Sequence, residues 1–266
     1  MLNQAIIVGN SKTDGRLFRV AVVCSRRAPG LDYLLAPRAG RGRIYEIVAC
    51  IASDSQCQEL DLLEAAGIPT RVLDIRQFYR ARGLRWSDLA VRPLYDEVLA
   101  ATLLSYRPDL VVLCGYLHIL TGPVLEAFAP NLINIHDADL TVRDDRGIPR
   151  YRGLRAVLDA ILAGERETRS TVHVVTPELD TGPILVRSDA FPVHPLVQEA
   201  RVWGALDILK AYAYAHREWM MRASWGPLLA GAIALCAAGA NRDLAGFDFS
   251  NRSPRSQSAE QGGYLC

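Results

Sequence analysis

Short β-branched and aliphatic runs alternate along this chain with longer segments in which apolar residues recur every three or four positions. The runs at 18–24, 45–51, 71–75, 110–115, 132–136, 168–175 and 183–186 read as strands. Helical spacing predicts a helix from about residue 31, helices over 58–66, 89–106, 121–128 and 154–163, and later ones over 197–221 and 225–239. Stop signals fall where such helices should end: Gly67 and Pro69, Arg107 and Pro108, and Gly164, with Thr121 placed to cap the 121–128 helix. Strand and helix in this rhythm imply parallel crossover connections. The expected fold is therefore α/β, a mostly parallel twisted sheet with helices on both faces.

Residues 110–115 are apolar throughout, which puts them at the sheet centre with both faces covered. Residues 80–87 and 142–150 are polar and glycine-containing; the first reads as a connection and the second as a surface loop or small hairpin. Trp203, Tyr212, Tyr214 and Trp219 lie within the 197–221 pattern and are expected to pack on the sheet as core. Residues 1–17 form an extension, 18–240 a single domain, and the polar, Gly- and Ser-rich 241–266 a disordered tail.

With 266 residues, 50% of them hydrophobic, the chain can bury one large core. A formal net charge of +1 and the lack of any basic run give no general field for nucleic acid. Six cysteines at 24, 50, 57, 114, 236 and 266 show neither a CxxC pair nor zinc-ligand spacing, so they read as reduced structural thiols. No ligand cluster calls for a metal. The start of the chain has no long apolar leader and 228–238 is too short to span a bilayer, which points to a cytoplasmic protein without a membrane or nucleic-acid partner. A homodimer is left open.

The chemistry concentrates in polar residues set among strands. Asn134 lies between Ile133 and Ile135, where an amide is costly unless it is hydrogen-bonded. His136 follows it, and Asp180 sits in the acidic turn after the 168–175 strand. An amide, an imidazole and a carboxylate thus fall near strand ends, where open α/β sheets build sites. Ser25 to Gly30 occupies the first strand-to-helix loop, a position suited to anions, and offers Arg26 and Arg27 as guanidinium forks.

Asn134 and His136 one residue apart, Asp180 followed by Gly182, Pro183 and Ile184, and the run from Gly115 to Leu120 together resemble the folate-dependent formyltransferases, over roughly residues 18–195. The resemblance implies a Rossmann-like formyltransferase fold with 10-formyltetrahydrofolate as formyl donor and a small-molecule primary amine as acceptor. It implies Asn134, His136 and Asp180 as catalytic residues. It places Leu117, His118, Ile119, Leu120, Thr176, Glu178 and Leu179 against the pterin, and Ser25, Arg26, Arg27, Gly115, Tyr151 and Arg152 on the acceptor side. His118 and His173 read as an ordinary loop histidine and a satisfied structural one.

Two departures bear on the acceptor. Members of this family that act on glycinamide ribonucleotide carry a glycine-rich first loop, whereas this chain has Ser25, Arg26, Arg27, Ala28, Pro29 and Gly30. After His136, relatives read Pro-Ser-Leu-Leu-Pro, whereas this chain has Asp137, Ala138, Asp139, Leu140 and Thr141. The expectation is an acceptor other than glycinamide ribonucleotide. The alternatives are the phosphoribosylglycinamide formyltransferase reaction of purine synthesis and hydrolysis of the formyl-folate by a deformylase. Deformylases of this family carry an N-terminal regulatory domain that the residues before Phe18 are too few to supply.

Overall fold

A computed structural model describes residues 16–36 and 44–243. In chain order the elements are β1 (Phe18–Cys24), α1 (Leu31–Leu35), β2 (Tyr45–Ala52), α2 (Leu60–Ala65), β3 (Thr70–Val72) and α3 (Ile75–Arg80). There follow α4 (Arg92–Ser105), β4 (Leu110–Leu113), α5 (Gly122–Phe128), β5 (Leu132–His136) and α6 (Ala156–Ala163). The chain then makes β6 (Glu167–Thr168), β7 (Thr171–Val174), β8 (Ile184–Arg187), β9 (Phe191–Pro192), α7 (Pro195–Val202), α8 (Leu206–Met220), α9 (Gly226–Ala237) and α10 (Ala240–Asp243).

The main sheet runs β3-β2-β1-β4-β5-β7-β8, and β6 pairs with β9 in a separate ribbon. The first five strands in that order are parallel, and β4 lies in the middle with all four residues buried, as its unbroken apolar run requires. Alternation along each strand feeds two cores. Val20, Val22, Leu110, Val112 and Ile133 pack with Leu31, Leu34, Leu229 and Ile233 of α1 and α9 on one face. Ala21, Val23, Val111, Leu113 and Leu132 pack with Tyr79, Tyr95, Leu99, Leu103 and Val124 of α3, α4 and α5 on the other.

Several expectations change. The 168–175 segment is two strands, and β7 pairs antiparallel with β5, His136 lying opposite Thr171. The chain therefore leaves β5 and enters β7 at the same end of the sheet, so the connection between them is no crossover. The 71–75 strand stops at Val72, because Asp74 turns to cap α3 and accepts the Gln77 N–H at 2.8 Å. The 197–221 helix is two helices, and a π-helical turn over Met221–Trp225 joins α8 to α9. The run Leu206–Ala237 is consequently 32 residues long, enough by length and composition to cross a membrane, yet 56% of its most apolar window is buried inside the fold.

Three of the four aromatic residues of that region are not core, Trp203 being 76% exposed, Tyr214 66% and Trp219 47%, whereas Tyr212 is half-buried against the cluster formed by α6, α7 and α8. Helix α8 fully buries only the stripe Leu209, Ala213, His216 and Met220, and Tyr214, off that stripe, faces outward. The polar 142–150 run is a small hairpin closed by an Arg143–Pro149 bridge. Cys24, Cys50, Cys57, Cys114 and Cys236 are buried free thiols. Asn241, expected in the tail, is buried and donates to Asn131 at 2.8 Å and to the Pro130 carbonyl. Residues 1–15 and 244–266, where the rest of the extension and tail fall, lie outside the described residues.

Candidate active site

The polar centre forms on one face of β5. Leu132, Asn134 and His136 share that face, and Leu132 is the last of them under the α3–α5 cluster. Beyond it, antiparallel pairing sets His173 directly opposite Asn134. Asn134 Nδ2 and His173 Nε2 are hydrogen-bonded at 3.3 Å, and His173 Nδ1 donates to the Val174 carbonyl at 2.9 Å. The amide set between two isoleucines is thus bonded, as its surroundings demand. His173 is a structural histidine in its bonds, but its place is inside the site.

Asp180 closes the centre. It is 6% exposed and holds a left-handed backbone with φ 53°, a conformation that aspartate tolerates better than most residues. Its Oδ2 accepts the Gly153 N–H at 2.8 Å and lies 3.6 Å from His136 Nδ1, while Oδ1 lies 3.6 Å from His173 Nε2. Burial by itself would raise this carboxyl; His136, His173 and the Gly153 N–H outweigh it and hold the group well below the usual carboxylate range. The supporting turn is wound tightly, with the Thr176 and Thr181 hydroxyls both donating to the Glu178 carbonyl at 3.1 and 3.0 Å. Gly182 follows because a Cβ there would stand 1.8 Å from the Val174 oxygen. His136 Nε2 donates to the Tyr151 carbonyl at 3.0 Å, so its imidazole is gripped on both sides.

The altered residues after His136 are anchors. Asp137, 6% exposed, accepts Arg217 Nε at 2.6 Å and Trp225 Nε1 at 2.8 Å. This ties the residue next to the histidine to the end of α8 and to the π-helical turn. Asp139 accepts Arg187 at 2.7 Å and the Thr141 N–H at 2.9 Å.

The acceptor-side residues are spread unevenly. Ser25 is buried; its hydroxyl accepts the Leu117 N–H at 3.0 Å and bonds Ser53 at 2.9 Å, strapping the first loop to the loop after β4. Arg26 is exposed and reaches Gln56. Arg27 is half-buried and held by both carboxylate oxygens of Glu218 on α8, at 2.7 and 2.9 Å. Gly115 has φ 72°, and a Cβ there would lie 2.3 Å from the Arg27 carbonyl, so only glycine lets the two loops meet. Tyr151 faces inward, its hydroxyl donating to Glu165 at 2.6 Å, and it reaches the centre through its carbonyl alone. Arg152 lies 3.7 Å from Glu178.

On the pterin side, Leu117, Ile119 and Leu179 are 45%, 37% and 37% exposed, an apolar offering that suits a flat heteroaromatic ring. Leu120 points into the α3–α5 core. His118 meets the rings of Tyr116 and Trp86 edge-on, and burial, with Arg92 and Arg76 nearby, pushes it down to about 4. Thr176 and Glu178 are occupied by the turn and by Arg152. In the sheet β5 lies between β4 and β7, the strands that precede the two loops carrying these residues.

Sequence reasoning passed over the anchoring role of Asp137 and underrated His173. An aspartate beside a candidate catalytic histidine was a usable signal for the first. The second had none until β7 was known to be antiparallel.

Fold and centre together define a Rossmann-like α/β protein whose polar centre, an amide, two imidazoles and a carboxylate, has the make-up of an acyl-transfer site. Residues 18–202 match the formyl transferase family, and the chain belongs to that family. It is 32% identical over 179 residues to the trifunctional purine biosynthetic protein adenosine-3 of Drosophila melanogaster, covering 66% of this chain and 12% of that protein. With the phosphoribosylglycinamide formyltransferase of Mycobacterium tuberculosis it shares 29% over 140 residues, 53% of this chain and 56% of the relative. The chain thus spans only part of these relatives. Glycinamide ribonucleotide transformylase 1 from Symbiobacterium toebii is similar in structure, with a TM-score of 0.60 at 27% identity over 88% of this chain and 93% of that one.

Proposed function

We propose that this protein moves the formyl group of 10-formyltetrahydrofolate to the primary amine of a small-molecule acceptor. The observation that carries the reading is the convergence of Asn134, His136, His173 and Asp180 on one face of β5 in a chain of the formyl transferase family. In the reaction, the amine nitrogen bonds to the formyl carbon, the bond from that carbon to N10 breaks, and the amine proton passes to N10. Asn134 Nδ2 and His136 Nε2–H are the donors for the oxyanion, exchanging His173 and the Tyr151 carbonyl for the substrate oxygen. Asp180 orients the imidazole while the proton moves.

For the acceptor, the names of the relatives support glycinamide ribonucleotide. A second reading, a small-molecule amine other than glycinamide ribonucleotide, is favoured by the first loop, where no glycine-rich run is present and Arg27 is already paired with Glu218. The purine-biosynthetic relatives support small-molecule metabolism, and a cytoplasmic location belongs to the same proposal.

The test incubates the protein with 10-formyltetrahydrofolate and glycinamide ribonucleotide beside a panel of other amines. Asn134→Ala, His136→Ala and Asp180→Ala should each fold and lower transfer by at least about 100-fold, as expected for losing an oxyanion donor or a general acid/base. Full turnover in the His136 and Asp180 variants sinks the mechanism. Formate release that needs no amine makes the protein a hydrolase instead.

A further inference from the structure

We propose that Arg92 and Asp96, one turn apart on α4, are positioning residues that hold the 116–121 loop in its folate-binding shape without touching the ligand. The inference rests on the folate reading above. Asp96 is fully buried, and its Oδ2 accepts the Thr121 N–H at 2.6 Å and the Thr121 hydroxyl at 2.7 Å. Arg92, 3% exposed, donates to the Ile119 carbonyl at 3.4 Å and to the Trp86 carbonyl at 2.9 Å. The end of the loop that carries Ile119 and Leu120 is therefore tied to α4, and its start is tied to Ser25 through the Leu117 N–H. With the backbone held at both ends, Leu117 and Ile119 are left facing outward.

Two features separate this clamp from ordinary packing. Thr121 stands at the cap position of α5 but makes no side-chain cap; its hydroxyl is turned to Asp96. Asp96 Oδ1, Arg92 Nε and the Tyr116 hydroxyl, all buried, have no hydrogen-bond partner among the described residues. A buried carboxylate with an unpaired oxygen is a net cost to folding, and burial pushes this one up to about 6. Well-packed apolar residues would stabilise the site as well or better. What they would not supply is a fixed backbone at residues 119 and 121.

The experiment titrates the full chain with tetrahydrofolate. Asp96→Ala and Arg92→Met should raise its Kd by at least about tenfold, the equivalent of one lost charge-assisted hydrogen bond. Asp96→Asn, which keeps an oxygen for Thr121, should stay within about threefold of the parent. A folded Asp96→Ala protein that binds tetrahydrofolate as the parent does overturns the proposal, whatever its melting temperature. If the parent itself fails to bind, the folate reading falls, and the clamp is judged by hydrogen exchange. Faster exchange at the Thr121 amide in Asp96→Ala but not in Asp96→Asn supports it, and equal exchange in all three overturns it.

Discussion

Replacing Asp137 with alanine removes the link between the residue next to His136 and the C-terminal helices. Two hydrogen bonds go, one from Arg217 at 2.6 Å and one from the Trp225 indole at 2.8 Å. Trp225 is 2% exposed, so its N–H is left unpaired away from water, at a cost of about 1–3 kcal/mol. The Arg217 side chain is 32% exposed and regains hydration, which screens its share to about 1 kcal/mol or less. The expected loss is about 1–4 kcal/mol, and at roughly 2–4 °C per kcal/mol for a chain of this size the melting temperature should fall by about 2–16 °C. Thermal and urea unfolding measure this directly. Trp225→Phe, which keeps the ring and loses the donor, should fall by less. The two changes should be non-additive, because each removes the same bond. An Asp137→Ala protein melting within about 2 °C of the parent, or strict additivity with Trp225→Phe, would refute the anchor.

Arg27→Ala leaves Glu218 unpaired beside the first loop, so for an anionic acceptor the KM should rise far more than kcat at saturation falls, and steady-state kinetics with the identified acceptor decide it. Asp96 gives a pH signature. Burial pushes its carboxyl up to about 6, so its protonated form contributes stability that is fully present below about 4 and lost as pH rises through about 6. Asp96→Asn should therefore gain on the parent in unfolding free energy between pH 4 and pH 8, by on the order of 2 kcal/mol; a difference that is flat with pH rejects this account.

The strands of the parallel half were legible because their two periodicities are local. A strand buried on both faces must be apolar at every position, as β4 is, and a covering helix must be apolar at every third or fourth. Asn134, His136 and Asp180 were legible as a set because each is a polar group in an apolar or turn setting that needs a partner. The partners themselves were not legible. His173 reads the same in sequence whether β7 runs parallel or antiparallel to β5, and only the antiparallel register sets it against Asn134. Helix α8 shows the same limit, since its aromatic residues carry a helical pattern but the packing of α6 and α7 decides which stripe is covered.

The sequence by itself determined the α/β class, the central strand, the Asn-x-His and Asp positions and the family they resemble, because these follow from spacing along one stretch of chain. Tertiary structure alone decided the rest. Arg27 became half of an ion pair with Glu218, 191 residues away, and Asp137 became an anchor for Trp225, 88 residues away. A charged side chain in a sequence states what it can bind, but which group reaches it first depends on how distant segments pack, and packing is a sum over the whole core.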